Sequence, residues 1–345
     1  MRYLITGGSG YFGGELKRSL LNDGHTCVNV DLAHDHDQHP FLTAITADIS
    51  QTGSLEKIFA QHGPFDCVFH AAAQLQFKWR NRRLFYATNV DATRTLAENC
   101  IKHQVKNLVF ISSNCVYGRI NGTEITEETP LDPFEVYGQT KVASEAILQT
   151  YRGQLNSVIL RPPTIIGEGR LGILSIVFDF IKENRKLWLV GSGENRYQFI
   201  YSHDLINACK KAAHYPTTAV FNIGSDAVPS LNQLFQRLIT HAKSQTKIRH
   251  LPTAWTVPAM KLAFKLNLSP LGPYQYNMIA NTFVGDTRKI KSVLQWQPTK
   301  SNTDMLIDNY HYYLNHYAEI HANQTLNGHR RAGKPGILAL IKWLS

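Results

Sequence analysis

The sequence predicts an α/β fold: a doubly wound parallel sheet with a smaller, partly interleaved second lobe. Three observations lead there. Short continuous apolar runs alternate with helical spacings over the first part of the chain, as expected for strands buried on both faces by crossover helices. A glycine-rich turn follows the first of these runs. After Arg161 the alternation breaks, Pro and Gly become frequent, and helical stretches mix with short β-like pieces. With 345 residues, 43% hydrophobic and 18% charged, the chain suits one large domain or two unequal ones and excludes a disordered or collagenous protein.

The elements follow in order. Strands are expected at Tyr3-Leu4-Ile5, Cys27-Val28-Asn29-Val30, Cys67-Val68-Phe69, Leu108-Val109-Phe110-Ile111 and Val158-Ile159-Leu160. Helices are expected at 93–103 and 142–151, then at 173–184 and 231–242 in the second lobe. A further helix is expected at 258–268, with Met260, Phe264 and Leu268 on one side and Lys261 and Lys265 as a polar stripe. The division read from this pattern is a first domain at 1–165, helped by about 195–225, a second lobe at 166–315, and a basic amphipathic tail at 316–345. No repeat or low-complexity tract is present.

Five cysteines (Cys27, Cys67, Cys100, Cys115 and Cys209) form no CxxC pair, so neither a disulfide framework nor a metal site is expected. A reducing cytoplasm is the expected location. Glycines arrive too early at the N-terminus for a secretory leader, and no apolar run reaches the roughly 20 residues of a membrane span.

The turn reads Thr6-Gly7-Gly8-Ser9-Gly10-Tyr11-Phe12-Gly13, with Gly7, Gly10 and Gly13 spaced GxxGxxG between a strand and a helix. Such a turn brings backbone N–H groups and a helix N-terminus close to a pyrophosphate. The second run ends at Asp31, placed to accept hydrogen bonds from ribose hydroxyls and to repel a 2′-phosphate. Leu32 and Ala33 follow it, with no Arg, which points to NAD rather than NADP.

Of fifteen tyrosines, only Tyr137 has a lysine four residues on, Lys141, on the same helix face. A nearby ammonium, together with a cationic nicotinamide, favours phenolate and makes the tyrosine a general acid/base. Ser113, after the strand ending at Ile111, can hold a substrate oxygen.

These residues resemble the extended short-chain dehydrogenase/reductase superfamily, also called the NAD-dependent epimerase/dehydratase family. The match runs through the turn at 6–13, Asp31, Asp48-Ile49, His70-Ala71-Ala72-Ala73 and Thr88-Asn89-Val90. It continues through Ser112-Ser113-Asn114-Cys115-Val116-Tyr117-Gly118, Tyr137-Gly138-Gln139-Thr140-Lys141 and Arg161-Pro162-Pro163, in order over about residues 1–315. The resemblance implies a Rossmann fold, bound NAD, hydride transfer at C4 of nicotinamide, a Ser113/Tyr137/Lys141 triad and a homodimer. It places Gly7, Gly10, Tyr11, Phe12, Gly13 and Asp31 on the cofactor. Asp48 and Ile49 go near the adenine. Ala71, Asn89 and Pro163 go on the nicotinamide side, with Ala72, Ala73 and Ser112 completing the set.

Three departures bear on substrate. Asn114 and Cys115 stand where dehydratases of this superfamily carry an Asp-Glu pair, which disfavours dehydration. Thr164 stands where sugar-nucleotide epimerases carry Asn after Arg-Pro-x. Tyr197 stands where many carry a diphosphate-clamping Arg, with Arg196 one residue away and hence on the other face of a strand. The segments at 161–167 and 191–204 resemble the 3β-hydroxysteroid/sterol dehydrogenase branch, which oxidises lipophilic secondary alcohols. Asn114, Cys115, Thr164, Arg196 and Tyr197 are therefore the candidate substrate residues. Three functions stay open: a dehydrogenase of a lipophilic alcohol, a sugar-nucleotide 4-epimerase and a non-catalytic NAD-binding module. Cys115 reads as a packed cysteine, because 167–170 lacks the His that would activate it, and His70 as structural.

The net charge of +10 is local. Residues 227–285 contain no acid and six basic residues, and 320–345 contain no acid and four; the other 26 basic residues balance the 26 acids. A basic tail rich in Leu and Trp can lie on an anionic membrane or dock on the protein. No nucleic-acid motif accompanies the charge. A small-molecule substrate is the expected partner.

Overall fold

The computed structural model describes residues 1–74, 82–118, 124–266 and 281–322. Its centre is a seven-stranded sheet made of β1 (Arg2–Thr6), β2 (Thr26–Asp31), β3 (Leu42–Thr46), β4 (Cys67–His70), β5 (Asn107–Ile111), β6 (Asn156–Arg161) and, from the distal half of the chain, β10 (Ala219–Asn222). The order is β10-β6-β5-β4-β1-β2-β3, and every pairing is parallel. The chain reverses direction across the sheet between β1 and β4, so a crevice opens at their C-terminal ends.

Alternation along each strand divides two cores. Tyr3 and Ile5 of β1, Phe69 of β4 and Val109 of β5 face one side. There α1 (Tyr11–Asn22) brings Leu16 and Leu20, and α7 (Ser202–Ala212) brings Leu205 and Cys209. Leu4, Val68, Leu108 and Phe110 face the other side. There α2 (Ser54–His62) brings Ile58 and Phe59, and α4 (Ala92–Lys102) brings Leu96 and Cys100. Strands buried on both faces must be apolar throughout, which is why they read as unbroken runs. β3 escapes that signal: as an edge strand its burial is partial and alternating.

A third core lies beyond β6. It contains β7 (Thr164–Ile166), β8 (Leu187–Val190), β9 (Phe199–Tyr201) and β11 (Ile248–Leu251) as two small parallel pairs, β7 with β9 and β8 with β11. Around them pack α6 (Leu174–Lys182), α8 (Leu231–His241) and α11 (Asn302–Asn315), with Phe178, Leu234, Tyr310 and Tyr313 buried together. Three further short helices are α3 (Arg82–Tyr86), α10 (Arg288–Leu294) and α12 (Tyr317–Ala322). Trp296 is buried in the core on the α1/α7 side of the sheet, its indole N–H donating to the Asp204 carbonyl at 2.8 Å.

The helix expected from Pro258 begins earlier, as α9 (Thr253–Lys265), and encloses Pro258. Proline at a helix start is favoured because its missing N–H is not needed there. Here Pro252 precedes the helix and its carbonyl caps Trp255 and Thr256, which moves the start upstream. No residue of α9 is buried, and Trp255 is 81% exposed. Leu268 and the tail after Ala322 lie outside the described residues. Among the described residues no helix is long and apolar enough to cross a membrane.

Candidate active site

The turn between β1 and α1 can only be built with glycine at two points. Gly7 has φ +79°, and a Cβ there would lie 2.6 Å from the Ala72 amide nitrogen. A Cβ on Gly13 would lie 2.2 Å from the Gly7 carbonyl oxygen. The close approach draws the first turn of α1, with no acid in it, onto the crevice. Its amide groups have no acceptors within the helix, which suits them to an anionic phosphate.

At the end of β2 the Asp31 carboxylate accepts N–H groups from Ser9 (2.9 Å) and Ala33 (3.0 Å). The following loop is tied down rather than solvated. Lys17 of α1, 1% exposed, bonds to Asp35 and lies 2.9 Å from Asp37, while Arg18 pairs with Asp37 at 3.0 Å. Sequence reading missed this cluster; the only signal was a lysine one residue past Leu16 on the buried face of α1.

At the other end of the crevice stands α5 (Val136–Thr150), which carries Tyr137 and Lys141 one turn apart. Lys141 is 2% exposed, donates to the Ile111 carbonyl at 2.8 Å and lies 4.4 Å from the centre of the Phe110 ring. Burial brings its pKa down to about 7, against the opposing pull of Glu145. Ser113 caps a 3-10 turn at Asn114–Tyr117; its Oγ accepts the Cys115 amide and donates to Asn114 Oδ1. Behind it, Glu145 accepts from Ser112 Oγ at 2.5 Å and forms a buried pair with Arg161 at 2.6 Å.

The sequence expectation joins Lys141 to a cationic nicotinamide in lowering the Tyr137 pKa, and Lys141 is not among the groups that move the phenol in the folded chain. The Lys141 nitrogen sits 5.8 Å from the Tyr137 ring centre and is spent on Ile111. Burial pushes the Tyr137 phenol up, Cys115 adds to this, and the cation that opposes it is Arg170. Arg170 is a second residue that sequence reading missed, since position 170 was weighed only for a histidine.

These groups line one cleft of about 810 Å³. Its wall includes Gly7, Gly10, Tyr11, Phe12, Gly13, Asp31, Asp48, Ile49 and Ala71 to Ala73 toward the dinucleotide end. Ser112, Ser113, Asn114, Cys115, Tyr137, Lys141, Pro163 and Thr164 form the other end. Cys115 therefore faces the cleft instead of being packed away. Three expected residues are absent from the wall. Asn89 is buried behind it, accepting from the Gln74 amide and donating to Thr140 Oγ1, while its neighbour Thr88 reaches the cleft. Tyr197 is buried with its hydroxyl 2.8 Å from Thr164 Oγ1, and Arg196 is exposed. His70 is fully buried between Thr6 and Thr93, and burial brings its pKa to about 3, which fits a structural role.

Residues 3–224 match the family model described as the NAD dependent epimerase/dehydratase family. An uncharacterized protein, y4nG, of Sinorhizobium fredii is 32% identical over 342 residues, 99% of this chain and 85% of that protein. A putative UDP-glucose 4-epimerase of Methanocaldococcus jannaschii is 28% identical over 251 residues, 69% of this chain and 81% of that one. Among solved structures, the UDP-glucose 4-epimerase of Thermotoga maritima with UDP-glucose superposes with a TM-score of 0.75 at 23% identity, over 92% of this chain and all of that one. It shares the fold.

Proposed function

The chain belongs to the NAD dependent epimerase/dehydratase family, an NAD-dependent enzyme of short-chain dehydrogenase/reductase type, and on that premise we propose that it moves hydride between NAD and a secondary carbinol of a small, lipophilic substrate. One observation carries the reading: Ser113, Tyr137 and Lys141 share a cleft whose other end is the glycine cradle and Asp31. The cradle fits NAD because a Cβ at Gly7 or Gly13 would fill the space between turn and helix. The proposed division of labour assigns the cofactor to 1–165 with 195–225, and the substrate to 166–315.

NAD, when bound, supplies the hydride acceptor or donor. The protein handles the oxygen. Ser113 Oγ donates to the carbinol oxygen, and Tyr137 takes its proton as the C–H bond breaks with both electrons and the C=O bond forms. Because burial holds the phenol protonated, the field of nearby cations decides when Tyr137 acts as a base. A lipophilic substrate is favoured because the position of a diphosphate clamp holds buried Tyr197, bonded to Thr164, while Arg196 is exposed. Similarity to the putative UDP-glucose 4-epimerase favours the second reading, a sugar-nucleotide 4-epimerase.

The test is a substrate panel with NAD, split between hydroxysteroid or long-chain β-hydroxy compounds and UDP- or dTDP-sugars, with Tyr137→Phe as control. NADH formation on the former, abolished in Tyr137→Phe, supports the first reading. Sugar interconversion without net NADH, and no oxidation of lipophilic alcohols, replaces it by the second. A homodimer and attachment to anionic vesicles through the basic segments belong to the same proposal; light scattering and vesicle sedimentation test them.

A further inference from the structure

The cleft contains a cation to which the steps above give no contact with the substrate. Arg170 sits in a turn between Gly169 (φ +77°) and Gly172 (φ +48°), both left-handed. The turn is fixed from below: Asn309 of α11 donates to the Arg170 carbonyl at 3.0 Å, and Tyr312 lies 3.2 Å from where a Gly169 Cβ would stand. The guanidinium lies over the Tyr11 ring, 5.1 Å from its centre, and lines the cleft. Tyr11 is itself held, its hydroxyl donating to the Glu168 carbonyl at 3.4 Å.

Two buried cations of this protein have acidic partners, while buried Lys141 has the Ile111 carbonyl. Lys17 has Asp35 and Asp37, and Arg161 has Glu145. Among the described residues no acid pairs with Arg170. Arg170 is half-buried on the cleft wall, so its guanidinium is partly out of water with no counter-charge and is open to an anion that enters the cleft. Burial lowers the guanidinium pKa, against the pull of the Tyr11 and Tyr137 phenols. Arg170 and Tyr137 line the same cleft.

We propose that Arg170 receives an anionic group carried by the substrate, a carboxylate or a phosphate ester, beside the carbinol that Tyr137 serves. This rests on the reading of the cleft as a hydride-transfer site. It narrows the substrate class to lipophilic secondary alcohols bearing an acidic oxygen group near the carbinol. A planar guanidinium stacked on an aromatic ring presents its N–H fork for two-point contact with such a group, which a lysine cannot reproduce.

The experiment is calorimetry on the NADH-loaded protein, which cannot oxidise an alcohol. The probes are cyclohexanecarboxylate, cyclohexyl phosphate and cyclohexanol, and the proteins are wild type, Arg170→Met and Arg170→Lys. Wild type is expected to bind one of the two anions at least tenfold tighter than cyclohexanol, and which anion it binds identifies the group. Arg170→Met loses that preference, Arg170→Lys keeps part of it, and NADH affinity is the same in all three. Equal binding of all probes by wild type overturns the proposal. So does a tenfold loss of NADH affinity in Arg170→Met with anion binding intact, because Arg170 then serves the cofactor pyrophosphate. If anions bind in an Arg170-dependent way but no secondary alcohol is ever oxidised, the anion site stands and the hydride-transfer reading falls.

Discussion

Replacing Lys141 with Met removes a buried ammonium from the centre of the site and should stabilise the protein while abolishing turnover. Burial lowers the Lys141 pKa from 10.5 to about 7. A lysine with a depressed folded pKa binds fewer protons folded than unfolded between those two values, so it disfavours folding there. Integrating the linkage gives a penalty of about 4 kcal/mol at pH 7, falling to about 1 kcal/mol near pH 10. Against this, the methionine leaves the Ile111 carbonyl without the donor it now has at 2.8 Å, which costs roughly 1–3 kcal/mol at any pH. The net expectation is a variant more stable by about 2 kcal/mol at pH 7 whose advantage disappears, or reverses, by pH 10. Urea unfolding followed by tryptophan fluorescence at the two pH values measures it, and the difference between the two proteins cancels every other titrating group. A variant less stable at pH 7, or a difference that does not change with pH, would refute the reasoning.

Three other changes probe the rest of the cleft and its support. Gly13→Ala puts a Cβ 2.2 Å from the Gly7 carbonyl, so the turn must open by about 1 Å; NADH affinity by fluorescence should fall at least tenfold, about 1.4 kcal/mol, while the far-UV circular dichroism stays native. Asp31→Ser removes the carboxylate held by Ser9 and Ala33; the KM for NAD should rise about tenfold and the NADP/NAD ratio of kcat/KM should increase. Trp296→Phe deletes a fully buried indole and its bond to the Asp204 carbonyl; chemical denaturation should show a loss of roughly 2–3 kcal/mol with little change in NADH binding.

The fold was legible because a parallel sheet buried on both faces must be apolar in unbroken runs, and five of the seven central strands announced themselves so. The edge strand β3 and the late-arriving β10 gave no such signal: one is half-exposed, and only two of the other's four residues are buried. The helical spacing of Tyr137 and Lys141 was readable because both lie on one helix, and the glycine turn because its residues are contiguous. Their presence in a single cleft together with Asp31 is a property of the folded chain.

What sequence determined, then, was local chemistry: a residue type, its spacing and the backbone that this spacing permits. It also separated Arg196 from Tyr197 by strand alternation, and the folded chain exposes one and buries the other. Tertiary structure alone decided the electrostatics. Lys17 is neutralised by Asp35 and Asp37 across 18 or more residues, Lys141 donates to the Ile111 carbonyl 30 positions away, and Arg170 stands over Tyr11 from 159 positions away. Charge acts through space and through the removal of water. Both are fixed by which segments come to lie side by side, and no local pattern of residues records that.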